Sequence, residues 1–163
     1  MTLKNLNSIR LLQQKKIAHT VHEFPDTLHN AEDVADFIGV PSNQVYKTLV
    51  VQRTKPKTKP LLIMIAADRQ LNLKKVAKAV NEKKVQMATQ DIAEKLTDLQ
   101  VGGISALMLL NKGFDIYIDE TAKSHQQIVI SAGQRGINLE IAVDDIIKIT
   151  SARLIEATNK PPV

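Results

Sequence analysis

The chain has 163 residues, 44% of them hydrophobic and 24% charged, which is enough apolar material for one globular core and excludes a disordered chain. A formal net charge of +5 favours an anionic partner such as RNA, while 3% aromatic content with no Trp leaves few platforms for stacking bare bases. The absence of Cys excludes disulfides, thiolate metal sites and a protein thiol nucleophile.

The N-terminal stretch MTLKNLNSIRLLQQKK has no signal-peptide core, and no apolar run approaches the ~20 residues that span a bilayer. A soluble, cytoplasmic protein without membrane contact is the expectation. Asn5 or Asn7 can cap a first helix running to about Lys16, with Leu6, Ile9 and Leu12 on one side. Residues 17–24 read as a strand. Asn30 is a good N-cap for a helix over 31–38, which Gly39 ends. The strongest strand signal is 45–53, and 61–66 returns as its hairpin partner. The tip between them, T-K-P-K-T-K-P, is too charged and Pro-rich for a core. One apolar helical stripe covers 73–80, and Thr89 caps a short helix near 91–96.

Residues 101–107, V-G-G-I-S-A-L, would make a buried strand were it not for the paired glycines; either a tight corner or an approaching ligand must need them. Short strands follow at 116–119, 127–130 and 139–142, then a small helix at 144–149. The ending T-N-K-P-P-V reads as a frayed tail from about residue 157. No repeat or linker interrupts the pattern. It predicts a mixed α/β (α+β) single domain, residues 1–163, with a strongly curved sheet.

The common site chemistries are missing. His19 and His22 fall on opposite faces of a strand, no HExxH exists, and no metal site is expected. Adjacent carboxylates at Asp119–Glu120 and Asp144–Asp145 point apart and read as helix caps or solvated groups. No nucleophile elbow, phosphate loop or dinucleotide fingerprint occurs, and no cofactor is implied.

Three features stand out instead. Lys47 sits mid-strand in V-Y-K-T-L-V-V, sharing a face with Val45, Leu49 and Val51. Its stem either snorkels to water or holds its ammonium in a cleft for a carboxylate, phosphate or ester oxygen. Lys55, Lys57, Lys59, Lys74 and Lys75 could follow a phosphate backbone or simply be solvated. S-A-G-Q-R-G at 131–136 is either a plain turn or a nest of backbone amides for an anion.

Taken in order, V-Y-K-T-L-V-V, L-N-L-K-K-V-A-K-A-V, V-G-G-I-S, Y-I-D-E and S-A-G-Q-R-G resemble the YbaK/EbsC family, within the superfamily of the prolyl-tRNA synthetase editing domain. The similarity runs from about Ile9 to Ile149. It implies a curved, barrel-like sheet surrounded by helices, and removal of a wrongly attached amino acid from tRNA, typified by Cys-tRNA(Pro), with the substrate's own thiol attacking its ester. Aminoacyl-tRNA is then the partner, with prolyl-tRNA synthetase a further one; a monomer and a homodimer both remain open.

By position, the resemblance assigns Lys47, Gly102, Gly103 and Ser131 to the reaction, the glycine amides facing the ester carbonyl. Phe24, Ile104, Ser105, Gly133, Arg135 and Asn138 would contact the substrate, with Gly136 in the same turn, and the five lysines would contact tRNA. Departures from the family pattern are Ala106 for Pro, M-L-L-N for a polar G-Q-K-K-like run, Asn138 for Asp and Phe24 for Tyr. They bear on which amino acid is accepted. A non-catalytic tRNA-binding module and a hydrolase of free aminoacyl esters are the alternatives.

Overall fold

The computed structural model describes residues 6–160. Helix α1 (Asn7–Gln14) buries Ile9 and Leu12 on the expected side. Leu6 takes the N-cap place without a side-chain bond, and Asn5 lies outside the described residues. The helix stops short of Lys16, whose backbone turns left-handed at φ 55°. Strand β1 (His19–Glu23) follows, then α2 (Ala31–Ile38). Both ends of α2 were written in the sequence: the Asn30 side chain accepts from the Glu32 N–H, and Gly39 supplies φ 78°.

Strands β2 (Tyr46–Arg53) and β3 (Leu61–Ala66) form the anticipated antiparallel hairpin, Lys47 opposite Ile65. Every β3 residue is buried, and its larger side chains each contribute on the order of 1.5–3 kcal/mol by leaving water. Next come β4 (Gln70–Leu71), α3 (Leu73–Ala79), β5 (Val85–Met87) and α4 (Gln90–Thr97). Thr89 caps α4 as expected. Residues 101–107 form no strand: a turn is followed by a 3-10 helix, Ala106–Met108. The chain continues through β6 (Asp115–Asp119), β7 (Gln127–Gln134), β8 (Ile137–Ala142), α5 (Val143–Thr150), β9 (Arg153–Ile155) and β10 (Thr158–Asn159).

The domain is mixed α/β, as read, but its strands divide among three sheets and do not close into a barrel. A five-stranded sheet runs β5-β2-β3-β6-β9, antiparallel up to β3 and parallel beyond it. A three-stranded antiparallel sheet runs β1-β8-β7, and β10 pairs with β4. The reason lies along one edge of β2. There β5 pairs only with Val51–Arg53, and β7 touches through a single parallel bridge, Val45 to Val129. Between those contacts the β2 edge has no ladder partner, and the barrel stays open.

Alternation along β2 covers both faces. Leu49 and Val51 pack with Ile63, Ile65 and Val76, while Val50 packs with Leu62, Ala93 and Ile104.

The C-terminal expectation needs correction. Ala157 is fully buried and Thr158–Asn159 is strand, so no fraying begins at 157; residues 161–163 lie outside the described ones. The anchor is Asp119. It does cap the turn that follows it, but it is 1% exposed, not solvated. One carboxyl oxygen accepts from Ala157 N–H at 2.8 Å. The other accepts from the Thr121 hydroxyl at 2.7 Å and the Thr158 hydroxyl at 3.1 Å. With its proton given to Asp119, the Thr121 oxygen accepts from the Tyr46 hydroxyl at 2.8 Å. Burial pushes that phenol above its usual range, with the Thr121 bond opposing, so Tyr46 remains a neutral donor.

Candidate active site

The unpaired stretch of the β2 edge opens into a cavity of about 370 Å³. Because Val50 O accepts from Ala88 N–H and Val45 O faces β3, residues of even number on β2 direct their main-chain groups away from β3. The N–H and C=O of Thr48 therefore point into the gap. Lys47 lines the same cavity, half-buried, and among the described residues no carboxylate pairs with it. In a cavity whose other lining includes Val34, Val45, Val50 and Ile104, a cation with no carboxylate partner can take an anion or a polarised carbonyl.

The second wall is the turn at 101–103, pinned at three points. Val101 N–H donates to the Glu94 carboxylate at 2.8 Å. The Val101 carbonyl accepts from Arg135 Nε at 2.7 Å. Gly103 N–H donates to Gln100 O at 2.8 Å. That leaves Gly102, which lines the cavity at φ 93° and whose N–H makes no hydrogen bond to a described residue.

The third wall comes from the β1-β8-β7 sheet. Ser131 and Asn138 are register partners on β7 and β8 and both line the cavity, with Phe24 just beyond β1. The bulge between Ser131 and Gln134 turns the Ser131 hydroxyl onto Gly133 N–H at 3.2 Å.

Of the residues singled out in the sequence, the structure thus brings Lys47, Gly102, Ser131, Phe24, Ile104 and Asn138 to one cavity. The others have different work. The Gly103 amide is already bonded, and a Cβ there would stand 2.9 Å from Arg135 N and 3.0 Å from Gln134 C. Its smallness lets the turn lie on the β7–β8 connection. Main chain on main chain cannot yield, so Gly103→Ala is expected to lower stability by about 1–3 kcal/mol, read as a lower Tm. Arg135 holds the turn through Val101 and does not line the cavity. Ser105 is buried and caps the 3-10 helix, and Gly133 leaves room for Met108. Gly136, at φ 90°, admits the Phe24 carbonyl. Ala106 belongs to the core and not to the cavity.

Among the lysines, Lys75 bonds Glu156 at 2.8 Å and the Thr158 carbonyl at 3.1 Å, a strut for the C-terminal strand. That bond holds the Glu156 carboxyl below its usual range. Lys55 reaches Glu82 only at 3.9 Å and is 69% exposed, and Lys57, Lys59 and Lys74 are exposed too.

Among the lining residues that the sequence reading did not place in the site are His29 and Glu32, at the start of α2. The signal was present, since His29 immediately precedes the cap Asn30, and loop ends of a rigid scaffold are where sites gather.

Comparison with known proteins bears on this arrangement. The sequence profile of the aminoacyl-tRNA editing domain family matches residues 26–149. A candidate Cys-tRNA(Pro)/Cys-tRNA(Cys) deacylase, EbsC of Enterococcus faecalis, is 35% identical over 162 residues, 98% of this chain and 96% of that protein. Part of the proline–tRNA ligase of Fervidobacterium nodosum is 25% identical over 127 residues, 77% of this chain but 21% of that enzyme. The crystal structure of a candidate trans-editing enzyme for prolyl-tRNA synthetase superposes with a TM-score of 0.82 at 19% identity, covering 98% of this chain and 99% of the other. At that identity the likeness concerns the fold.

Proposed function

The chain belongs to the aminoacyl-tRNA editing domain family, and we propose that it is a deacylase acting in trans, which removes a wrongly attached amino acid, cysteine foremost, from tRNA. The observation that carries this reading is one cavity lined both by Lys47, with which no described carboxylate pairs, and by Gly102, whose N–H bonds no described residue. Lys47 grips a phosphate or ester oxygen of the terminal adenosine. Gly102 N–H donates to the ester carbonyl as negative charge gathers on it. Ser131 and Asn138 supply polar contacts, and Phe24, Val34 and Ile104 shape a small apolar pocket for the side chain.

Editing by a second site is needed where one pocket cannot reject a similar small amino acid strongly enough. Asn138 and Phe24 lie in the cavity, so these two departures bear on amino-acid choice, whereas Ala106, in the core, does not touch the substrate. Exposed Lys55, Lys57, Lys59 and Lys74 meet tRNA phosphates. The match to part of proline–tRNA ligases supports tRNA(Pro) as the carrier and that synthetase as a docking partner. The whole chain is read as one editing domain.

The test is release of amino acid from Cys-, Ala-, Ser- and Pro-tRNA(Pro) and from Cys-tRNA(Cys), each at rising salt. Cys-tRNA(Pro) should be cleaved fastest, and its KM should rise steeply with salt. No release above buffer from any of the five overturns the deacylase. Tight, salt-sensitive binding without release would select the non-catalytic module instead, a reading motivated by the uncharged Asn138.

A further inference from the structure

We propose that His29 is the proton-transfer residue of this cavity, an inference that rests on the deacylase reading above. Thiol attack on an ester needs a base for the thiol proton and an acid for the departing ribose oxygen. Imidazole alone among side chains has a free pKa, about 6.5, that suits both tasks near neutral pH. The chain has four histidines, and three are engaged elsewhere. His19 bonds the Ile17 carbonyl, His22 bonds Glu140 at 2.8 Å, and His125 stands edge-on to Tyr46.

His29 is the one that lines the cavity, and its ring makes no hydrogen bond to a described residue. Its Cβ lies 3.2 Å from the point where a Gly102 Cβ would stand. The imidazole therefore leaves the backbone beside the amide that receives the carbonyl oxygen. The loop carrying it is held on both sides, by Leu28 N–H on the Pro25 carbonyl and by the Asn30 cap. Of the other groups at the cavity, the Tyr46 hydroxyl donates to Thr121 and the Ser131 hydroxyl accepts from Gly133, and neither has a free pKa near neutrality. The charged groups sharing the cavity or its pinned turn with His29 are Glu32, Lys47, Glu94 and Arg135.

The step balances as follows. A neutral His29 nitrogen takes the proton of the cysteinyl thiol as sulfur attacks the ester carbonyl carbon. The new S–C bond forms, the C–O bond to the ribose breaks, and the imidazolium returns its proton to that ribose oxygen. The products are a four-membered thiolactone, which water then opens, and tRNA with a free terminal hydroxyl.

Single-turnover cleavage of Cys-tRNA(Pro) by His29→Ala and His29→Asn, across the imidazole titration range, tests this. Both variants should bind the tRNA as the unaltered protein does but react about 10²-fold more slowly. The wild-type rate should climb with pH and level off; in the variants the levelling should vanish. Imidazole added to the buffer should restore part of the His29→Ala rate. Variants within about twofold of wild type at every pH overturn the assignment. So does a slow His29→Ala that imidazole does not rescue and whose pH profile keeps its shape, since that is a loss of packing. If the wild type itself releases nothing from any tRNA, the deacylase reading fails and takes this inference with it. An active wild type with a dispensable His29 removes only the inference.

Discussion

Replacing Lys47 with alanine is expected to slow single-turnover cleavage of Cys-tRNA(Pro) by about 10³-fold while Tm stays level or rises. Lys47 is half-buried and no described carboxylate neutralises it, so the folded chain gains nothing from its charge. In a cavity walled by Val34, Val45 and Ile104, however, an ammonium acts in a poorly screened setting. On the proposed reading, its attraction for an oxygen that becomes more negative during reaction would be felt mainly in the transition state. Lys47→Arg should recover little, because a planar guanidinium cannot occupy the position of a compact ammonium. A Lys47→Ala protein that cleaves within tenfold of wild type would remove the lysine from the reaction. A large loss of Tm would instead make it a structural group.

The second large effect concerns stability. Asp119→Ala should lower unfolding free energy by about 3–4 kcal/mol, because it leaves Ala157 N–H, the buried Thr158 hydroxyl and the half-buried Thr121 hydroxyl without this acceptor. For a chain of this length that corresponds to a fall in Tm of roughly 10 °C, measurable by calorimetry. Asp119→Asn keeps one carbonyl acceptor and should cost less. The Thr121 hydroxyl links this carboxyl to Tyr46, the neighbour of Lys47, so hydrogen exchange should quicken at residues 157–159 and at Tyr46 together. A Tm unchanged by Asp119→Ala would show that the C-terminal strand is held by its apolar contacts alone.

What could be read from the sequence was whatever is local. The β2–β3 hairpin declares itself by two aliphatic runs around a Lys-Pro tip, and α2 and α4 by Asn30, Gly39 and Thr89. Strands β4, β9 and β10, two or three residues each, have no period of their own; they exist because distant chain supplies their ladder. The same limit governed the site. Lys47 betrays itself as a charge among aliphatic neighbours. Gly103 and Arg135 also stand out in the sequence but their work does not, because the turn they support meets its buttress only in three dimensions. In sequence Lys75 is no different from its exposed neighbours; only the fold brings Glu156 beside it. Asp119 was read as a solvated cap since nothing nearby in sequence tells that Ala157 and Thr158 will close over it.

Among the described strands, β1 finds its ladder only in β8, with His19 opposite Ile141. A ribosome therefore presents residues 19–23 long before their partner emerges, and the wall bearing Ser131 and Asn138 arrives with that partner. A nascent chain already holds Lys47 and the turn at 101–103 yet lacks the Ser131–Asn138 wall. The cavity is thus closed on its third side only after residue 142 has been made.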